Sequence, residues 1–310
     1  MKFQTILGAG GSVSNELLGV LSGNKENIRL VSRNVKPIEG IETVRADITD
    51  YKQTLQAVEN SAVVYLLAGL KYDVRVWAEK WPVIMANVIN ACKEAGAKLV
   101  FFDNVYMYGK VEGKMTEHTP FNPVSRKGEI RALIATKLLD EIANKNISAL
   151  IARSADFYGP VGFTTSVPNL LVFKNFKKHK HAQWLGNPTV PHSFTYVPDA
   201  AKALYMLANK EEAFGQTWHL PTAPHPLTGE EFIRQAAAAM QADSSFNKLS
   251  GWLVRVGGLF DRTIKELQEM LYQNEYPYIF DSTKFDTAFN FESTSYKNGI
   301  IETAIWTLRQ

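Results

Sequence analysis

Phe3-Gln4-Thr5-Ile6-Leu7, then Gly8-Ala9-Gly10-Gly11-Ser12-Val13-Ser14, then Asn15-Glu16-Leu17-Leu18-Gly19-Val20-Leu21 is the stretch that decides the fold. An apolar run of strand length enters a glycine-rich turn and leaves it as a pattern with helical period. Glycines let the backbone approach a pyrophosphate closely, and the unpaired N–H groups at the start of the helix hold its charge. The turn therefore predicts a dinucleotide site, with Gly8, Gly10, Gly11, Ser12 and Val13 as its floor.

Outward from this turn, apolar runs recur at Ile28 to Val31, Ala62 to Ala68, Leu99 to Phe102 and Ser148 to Ala152, with helix-length segments between them. Strands buried on both faces are nearly continuous in apolar residues, as in Ala62-Val63-Val64-Tyr65-Leu66-Leu67-Ala68. The expected fold class is α/β, a doubly wound parallel sheet of the Rossmann type with a smaller, mostly helical C-terminal lobe. Residues 1–158 are assigned to the dinucleotide domain, completed by a strand near 216–221, and 159–310 to an interleaved substrate lobe. Beyond Arg153, Gly and Pro cluster at Tyr158-Gly159-Pro160-Val161-Gly162 and at Gly186-Asn187-Pro188, the punctuation of loops. Thr228-Gly229-Glu230-Glu231 predicts a capping box opening a helix that runs to Met240.

The second strand ends in Leu30-Val31-Ser32-Arg33-Asn34, without the carboxylate that would bond an adenosine ribose. Ser32 and Arg33 there favour NADP over NAD, since a guanidinium pairs with a 2′-phosphate; NAD stays open as the alternative. The 34 Lys and Arg against 31 Asp and Glu leave a net charge of +3, which argues against nucleic acid or a membrane surface as partner. The densest basic run, Phe173 to His181, reads as a solvated helix end. Cys92 is the single cysteine, so no internal disulfide forms, and no apolar stretch approaches the ~20 residues of a membrane span. A cytoplasmic protein with a small-molecule substrate is expected, and a homodimer is possible. The spacing of His, Asp and Glu predicts no catalytic metal, and there is no Gly-x-Ser-x-Gly nucleophile turn.

These residues resemble the short-chain dehydrogenase/reductase superfamily, in its extended branch known as the NAD-dependent epimerase/dehydratase family. Gly8-x-x-Gly11-x-x-Ser14 is similar to the branch's Gly-x-x-Gly-x-x-Gly. Arg45-Ala46-Asp47-Ile48-Thr49-Asp50 matches the segment in which Asp47 and Ile48 border the adenine, and Leu67-Ala68-Gly69 the strand end beside the cofactor ribose. Val105-Tyr106-Met107-Tyr108-Gly109, Thr119-Pro120, Asp156-Phe157-Tyr158-Gly159-Pro160 and Phe194-Thr195-Tyr196-Val197-Pro198-Asp199 follow in the branch's order.

The departures bear on chemistry. The resemblance places a Ser or Thr after the fifth strand and a Tyr-x-x-x-Lys on the next helix, where this chain has Asn104, Lys127 and Arg131. Asn104 retains a hydrogen-bonding amide, and Arg131 is expected at the cofactor ribose. Lys127 is the one of the three able to exchange a proton, if desolvation and neighbouring cations lower its pKa; an exposed helix lysine is the plain alternative. Nucleotide-sugar members carry an Arg four residues before the Tyr of Tyr-Val-x-Asp, to grip the pyrophosphate; His192 stands there. Tyr108 and Asp156 join Lys127 and Asn104 as catalytic candidates, and Tyr158, Trp218 and His219 join His192 as substrate candidates, near strand ends. Three functions follow: an atypical NADP-dependent oxidoreductase of a small carbonyl or hydroxyl compound, an NADP(H)-binding sensor without chemistry, and a sugar-nucleotide epimerase or dehydratase.

Overall fold

The computed structural model describes residues 2–258 and 262–310, which divide into two compact units. The first comprises the N-terminal segment through Met107, Lys127–Arg153 and Ala201–Trp218. Its strands are β1 (Phe3–Leu7), β2 (Ile28–Ser32), β3 (Glu42–Arg45), β4 (Ser61–Leu66) and β5 (Lys98–Asp103), followed by Ala149–Arg153. With Thr217–His219 at one edge they form a seven-stranded sheet. Its order is Thr217–His219, Ala149–Arg153, β5, β4, β1, β2, β3. The pairs β1–β2, β1–β4, β2–β3, β4–β5 and β5 with Ala149–Arg153 are all parallel. Parallel neighbours need long crossovers, and helices α1 (Ser12–Gly23), α2 (Tyr51–Val58), α3 (Val74–Ala95) and α4 (Arg126–Ala143) provide them.

The strand interiors are apolar except where a polar group finds a partner. Ile6, Leu7, Val64, Leu66, Leu99 and Leu150 have no exposure. Thr5 Oγ1 lies 2.7 Å from Ser61 Oγ, and the Tyr65 hydroxyl donates to Gln4 Oε1 at 3.2 Å. Buried Arg29 donates to Glu42 Oε1 at 2.8 Å and to the carbonyls of Ala57 and Glu59 at 3.0 and 2.6 Å, meeting acceptors that the end of α2 leaves open.

The second unit gathers Tyr108–Arg126, Ser154–Ala200 and His219–Gln310, and is about as large as the first. Its core packs Tyr158, Phe173, Trp184, Phe194, Phe232 and Tyr296. Short strand pairs join distant segments, Phe194–Tyr196 with Asp156–Tyr158 and Pro191–His192 with Leu227–Thr228 among them. Thr228 and Glu231 form the predicted capping box on the helix Gly229–Met240. In the basic run, Phe173 and Phe176 turn inward while Lys178 to His181 are exposed. Among the described residues no helix is long and apolar enough to cross a membrane.

Asp286 is the second unit's strained carboxyl. Burial, against a hydrogen bond from Ser282 and with Asp281, Asp199 and Glu117 adding negative charge, pushes its pKa up to about 6. An unfolded Asp titrates at about 3.9, so the neutral form favours folding. Its contribution is complete below about pH 4 and is lost as pH rises through about 6. Asp286→Asn should raise the melting temperature at pH 8 and leave it nearly unchanged at pH 4. A thermal melt showing the same change at both pH values would refute this account.

Candidate active site

In the first unit, the turn between β1 and α1 is shaped by two positive φ angles, +104° at Gly8 and +93° at Gly10. A Cβ on Gly8 would lie 2.6 Å from the Ala68 backbone, so glycine is required where the turn crosses the end of β4. The N–H groups of Gly8 and Ala9 both donate to the Val31 carbonyl, at 2.9 and 3.0 Å, pinning the turn between β2 and β4. Gly11 caps α1 without a side-chain hydrogen bond, and the first turn of α1 contains no carboxylate. A helix start with no capping side chain, on a floor that Cβ atoms do not fill, fits a dinucleotide pyrophosphate.

The other predicted cofactor residues lie in the same unit. Ser32 ends β2, and exposed Arg33 follows it. The Asp47 carboxylate accepts from the Thr49 N–H at 3.0 Å and the Thr49 hydroxyl at 2.8 Å. Those bonds, with the charges of Arg33 and Lys80, hold its pKa below the usual range. The Ile48 carbonyl accepts from Asn87 Nδ2 at 3.1 Å. Leu67 donates to the Leu7 carbonyl at 2.9 Å, which sets Ala68 and Gly69 beside the turn.

Lys127 lies in the first turn of α4 with no exposure at all, its Nζ 4.5 Å from the centre of the Tyr72 ring. Arg131, one turn later and so on the same face, is also buried. Its Nε donates to Asp103 Oδ1 at 2.7 Å, and its Nη2 contacts the same oxygen. Arg153 Nε lies 3.7 Å from Asp103 Oδ2. The guanidinium of Arg131 rests 4.5 Å from the Trp81 ring, and Trp77 stacks on Tyr106. Aromatic faces around the two cations repay part of their lost hydration. Asn104 donates its N–H to Asp103 Oδ1 at 2.9 Å and accepts from the Tyr106 N–H at 3.1 Å. Arg131, expected at a cofactor ribose, thus has its guanidinium turned to Asp103. The reading of the sequence did not select Asp103, Arg153 or Tyr72, although a carboxylate closing the apolar run Leu99 to Phe102 is a signal that was available.

The second unit holds two histidine pairs. The Tyr108 hydroxyl is 2.8 Å from His219 Nε2, and His219 Nδ1 is 2.9 Å from the Asp281 carbonyl. A carbonyl accepts only, so Nδ1 carries the proton, Nε2 accepts, and Tyr108 donates. His219 stacks on Phe280 at 4.1 Å, and its backbone N–H donates to Glu117 Oε1. The second pair is His192 Nε2 with Asp156 Oδ2, 3.1 Å apart. Tyr158 sits in the core, its buried hydroxyl with no hydrogen-bond partner among the described residues and its pKa raised by burial. Trp218 lies in the first unit, donating to the Ala213 carbonyl at 2.9 Å. Among the described residues, no group of three or more His, Cys, Asp or Glu side chains could hold a metal ion.

The family model for the NAD dependent epimerase/dehydratase family matches residues 5–220. The chain belongs to that family. A stretch of 138 residues is 26% identical to an uncharacterized UDP-glucose epimerase of Bacillus subtilis, covering 43% of this chain and 42% of the relative. The match thus spans less than half the length of that curated relative. Among solved structures, a dTDP-glucose 4,6-dehydratase from Bacillus anthracis in complex with NAD has a TM-score of 0.82 at 14% identity, over 100% of this chain and 97% of the other. A UDP-glucose 4-epimerase from Thermus thermophilus in complex with NAD has a TM-score of 0.79 at 14% identity, over 99% of each chain. At that identity the likeness is one of fold.

Gly8→Ala tests the turn. The positive φ and the clash with Ala68 should cost about 1–3 kcal/mol of stability and sharply weaken dinucleotide binding, as read by denaturant unfolding and calorimetric titration. Unchanged affinity in a folded variant would remove the turn from the cofactor site.

Proposed function

We propose that this protein is a dinucleotide-dependent hydride-transfer enzyme that prefers NADP, acts on a small carbonyl or hydroxyl compound, and moves the proton with Lys127 in place of a tyrosine. The observation carrying this reading is the complete burial of Lys127 at the family's tyrosine position. Fully buried lysines are rare in proteins. When bound, the dinucleotide would exchange a hydride with the substrate carbon. Lys127 would serve the oxygen: as an ammonium, Nζ donates a proton when a carbonyl is reduced, and as an amine it accepts one when an alcohol is oxidised. Arg131, one helical turn away, is anchored by Asp103 and fixes the helix that carries Lys127. Gly8, Gly10, Gly11, Ser12 and Val13 would hold the pyrophosphate, with Asp47, Ile48 and Leu67 to Gly69 along the adenosine and ribose.

The NADP preference rests on exposed Arg33 and on the absence of a carboxylate in Ser32-Arg33-Asn34. A second reading, a sugar-nucleotide epimerase or dehydratase, draws on the relatives' names. Against it stands His192, which occupies the pyrophosphate-gripping position and is engaged by Asp156.

Calorimetric titration with NADPH and NADH should give tighter binding of NADPH, and Arg33→Asp should reverse the order; an unchanged preference would refute the assignment. Lys127→Met should keep NADPH affinity while lowering turnover on a carbonyl panel by about 100-fold or more. NADPH binding without turnover of any carbonyl, alcohol or sugar nucleotide would instead make the protein a sensor.

A further inference from the structure

A small pocket lies wholly within the second unit, lined by Asp156, Leu171, Gln183, Trp184, Phe194 and Asn274 together with further aliphatic side chains. Among the described residues, no lysine or arginine lines it. Its volume is about 10 Å³, room for one water-sized group. The parallel register sets Asp156 opposite Phe194, so that a carboxylate and an aromatic ring meet on the same wall.

Asp156 is held in place from one side. Its Oδ2 is 3.1 Å from His192 Nε2, and because a carboxylate accepts only, the imidazole donates. His192 is 2% exposed and cannot swing away: it stacks on Tyr278 at 4.3 Å with planes 11° apart and lies 4.5 Å from Phe194. The side chain of Asp156 keeps 26% of its exposure, so it remains accessible from the pocket. The pocket wall is likewise fixed, since Gly186, at φ +72°, leaves no space for a Cβ against Asn274, whose backbone oxygen would be 2.6 Å away.

We propose that this pocket recognises a primary ammonium group. A phosphate is larger than the pocket, is repelled by Asp156 and finds no cation there. A primary ammonium is water-sized and brings three donors and a positive charge to the Asp156 carboxylate. A hydroxyl brings one donor and no charge, so it binds more weakly. Recognition of the ammonium is independent of the hydride-transfer reading.

Saturation-transfer NMR on the full chain with n-butylammonium, n-butanol, butyrate and UDP tests it. The wild type should bind butylammonium about tenfold or more tightly than butanol, and should give no signal with butyrate. Asp156→Asn should abolish that preference while NADPH affinity, measured on the same samples, stays the same. Val167→Trp, which fills the pocket from an exposed lining position, should block the amine with Asp156 intact and covers the case in which Asp156→Asn fails to fold. Equal binding of butylammonium by wild type and by either folded variant, or preferential binding of UDP, would overturn the proposal. NADPH binding without amine recognition would sink this inference and spare the hydride-transfer reading; amine recognition without NADPH binding would do the reverse.

Discussion

Asp103 is the buried charge around which one end of the first unit's sheet is arranged. It ends β5 with essentially no exposure and is approached by two guanidinium groups, Arg131 from α4 and Arg153 from the neighbouring strand. Asp103 and Arg131 are buried as a hydrogen-bonded pair, and removing either leaves uncompensated charge in a low dielectric. The arrangement therefore fixes α4 against the end of the sheet. Lys127, one turn earlier on the same helix, is placed by that anchor. The Asn104 N–H joins it through the same Oδ1.

The glycine turn is fixed differently, by backbone sterics. Gly8 lies so close to Ala68 that the ends of β1 and β4 could not pack with any side chain between them. α1 begins after Gly11, which supplies no capping side chain. The turn and the Asp103 cluster are both at the carboxyl ends of the parallel strands, where open α/β sheets bind their ligands.

The two histidine pairs of the second unit differ in what they leave available. In the Tyr108–His219 pair both ring nitrogens are engaged and Phe280 covers the ring, so the pair is closed on itself. In the Asp156–His192 pair the histidine is locked by stacking, but the carboxylate still lines a pocket.

Much of the fold was legible because buried parallel strands and a glycine turn leave local marks: β1 runs from Phe3 to Leu7 as the apolar pattern indicates, and Thr228 with Glu231 caps its helix. Short-range periodicity and turn chemistry report on the next few residues, and those elements depend on little else. What a polar side chain pairs with is set by partners distant in the chain, as Asp103 with Arg131, Tyr108 with His219 and Asp156 with His192 show. The sequence by itself determined the sheet, the glycine turn and the departures at Asn104, Lys127 and Arg131. Only the tertiary structure decided that Lys127 is buried, that Arg131 is bound to Asp103 and that Tyr158 and Trp218 are core residues, because burial and ion pairing arise from packing that no local pattern encodes.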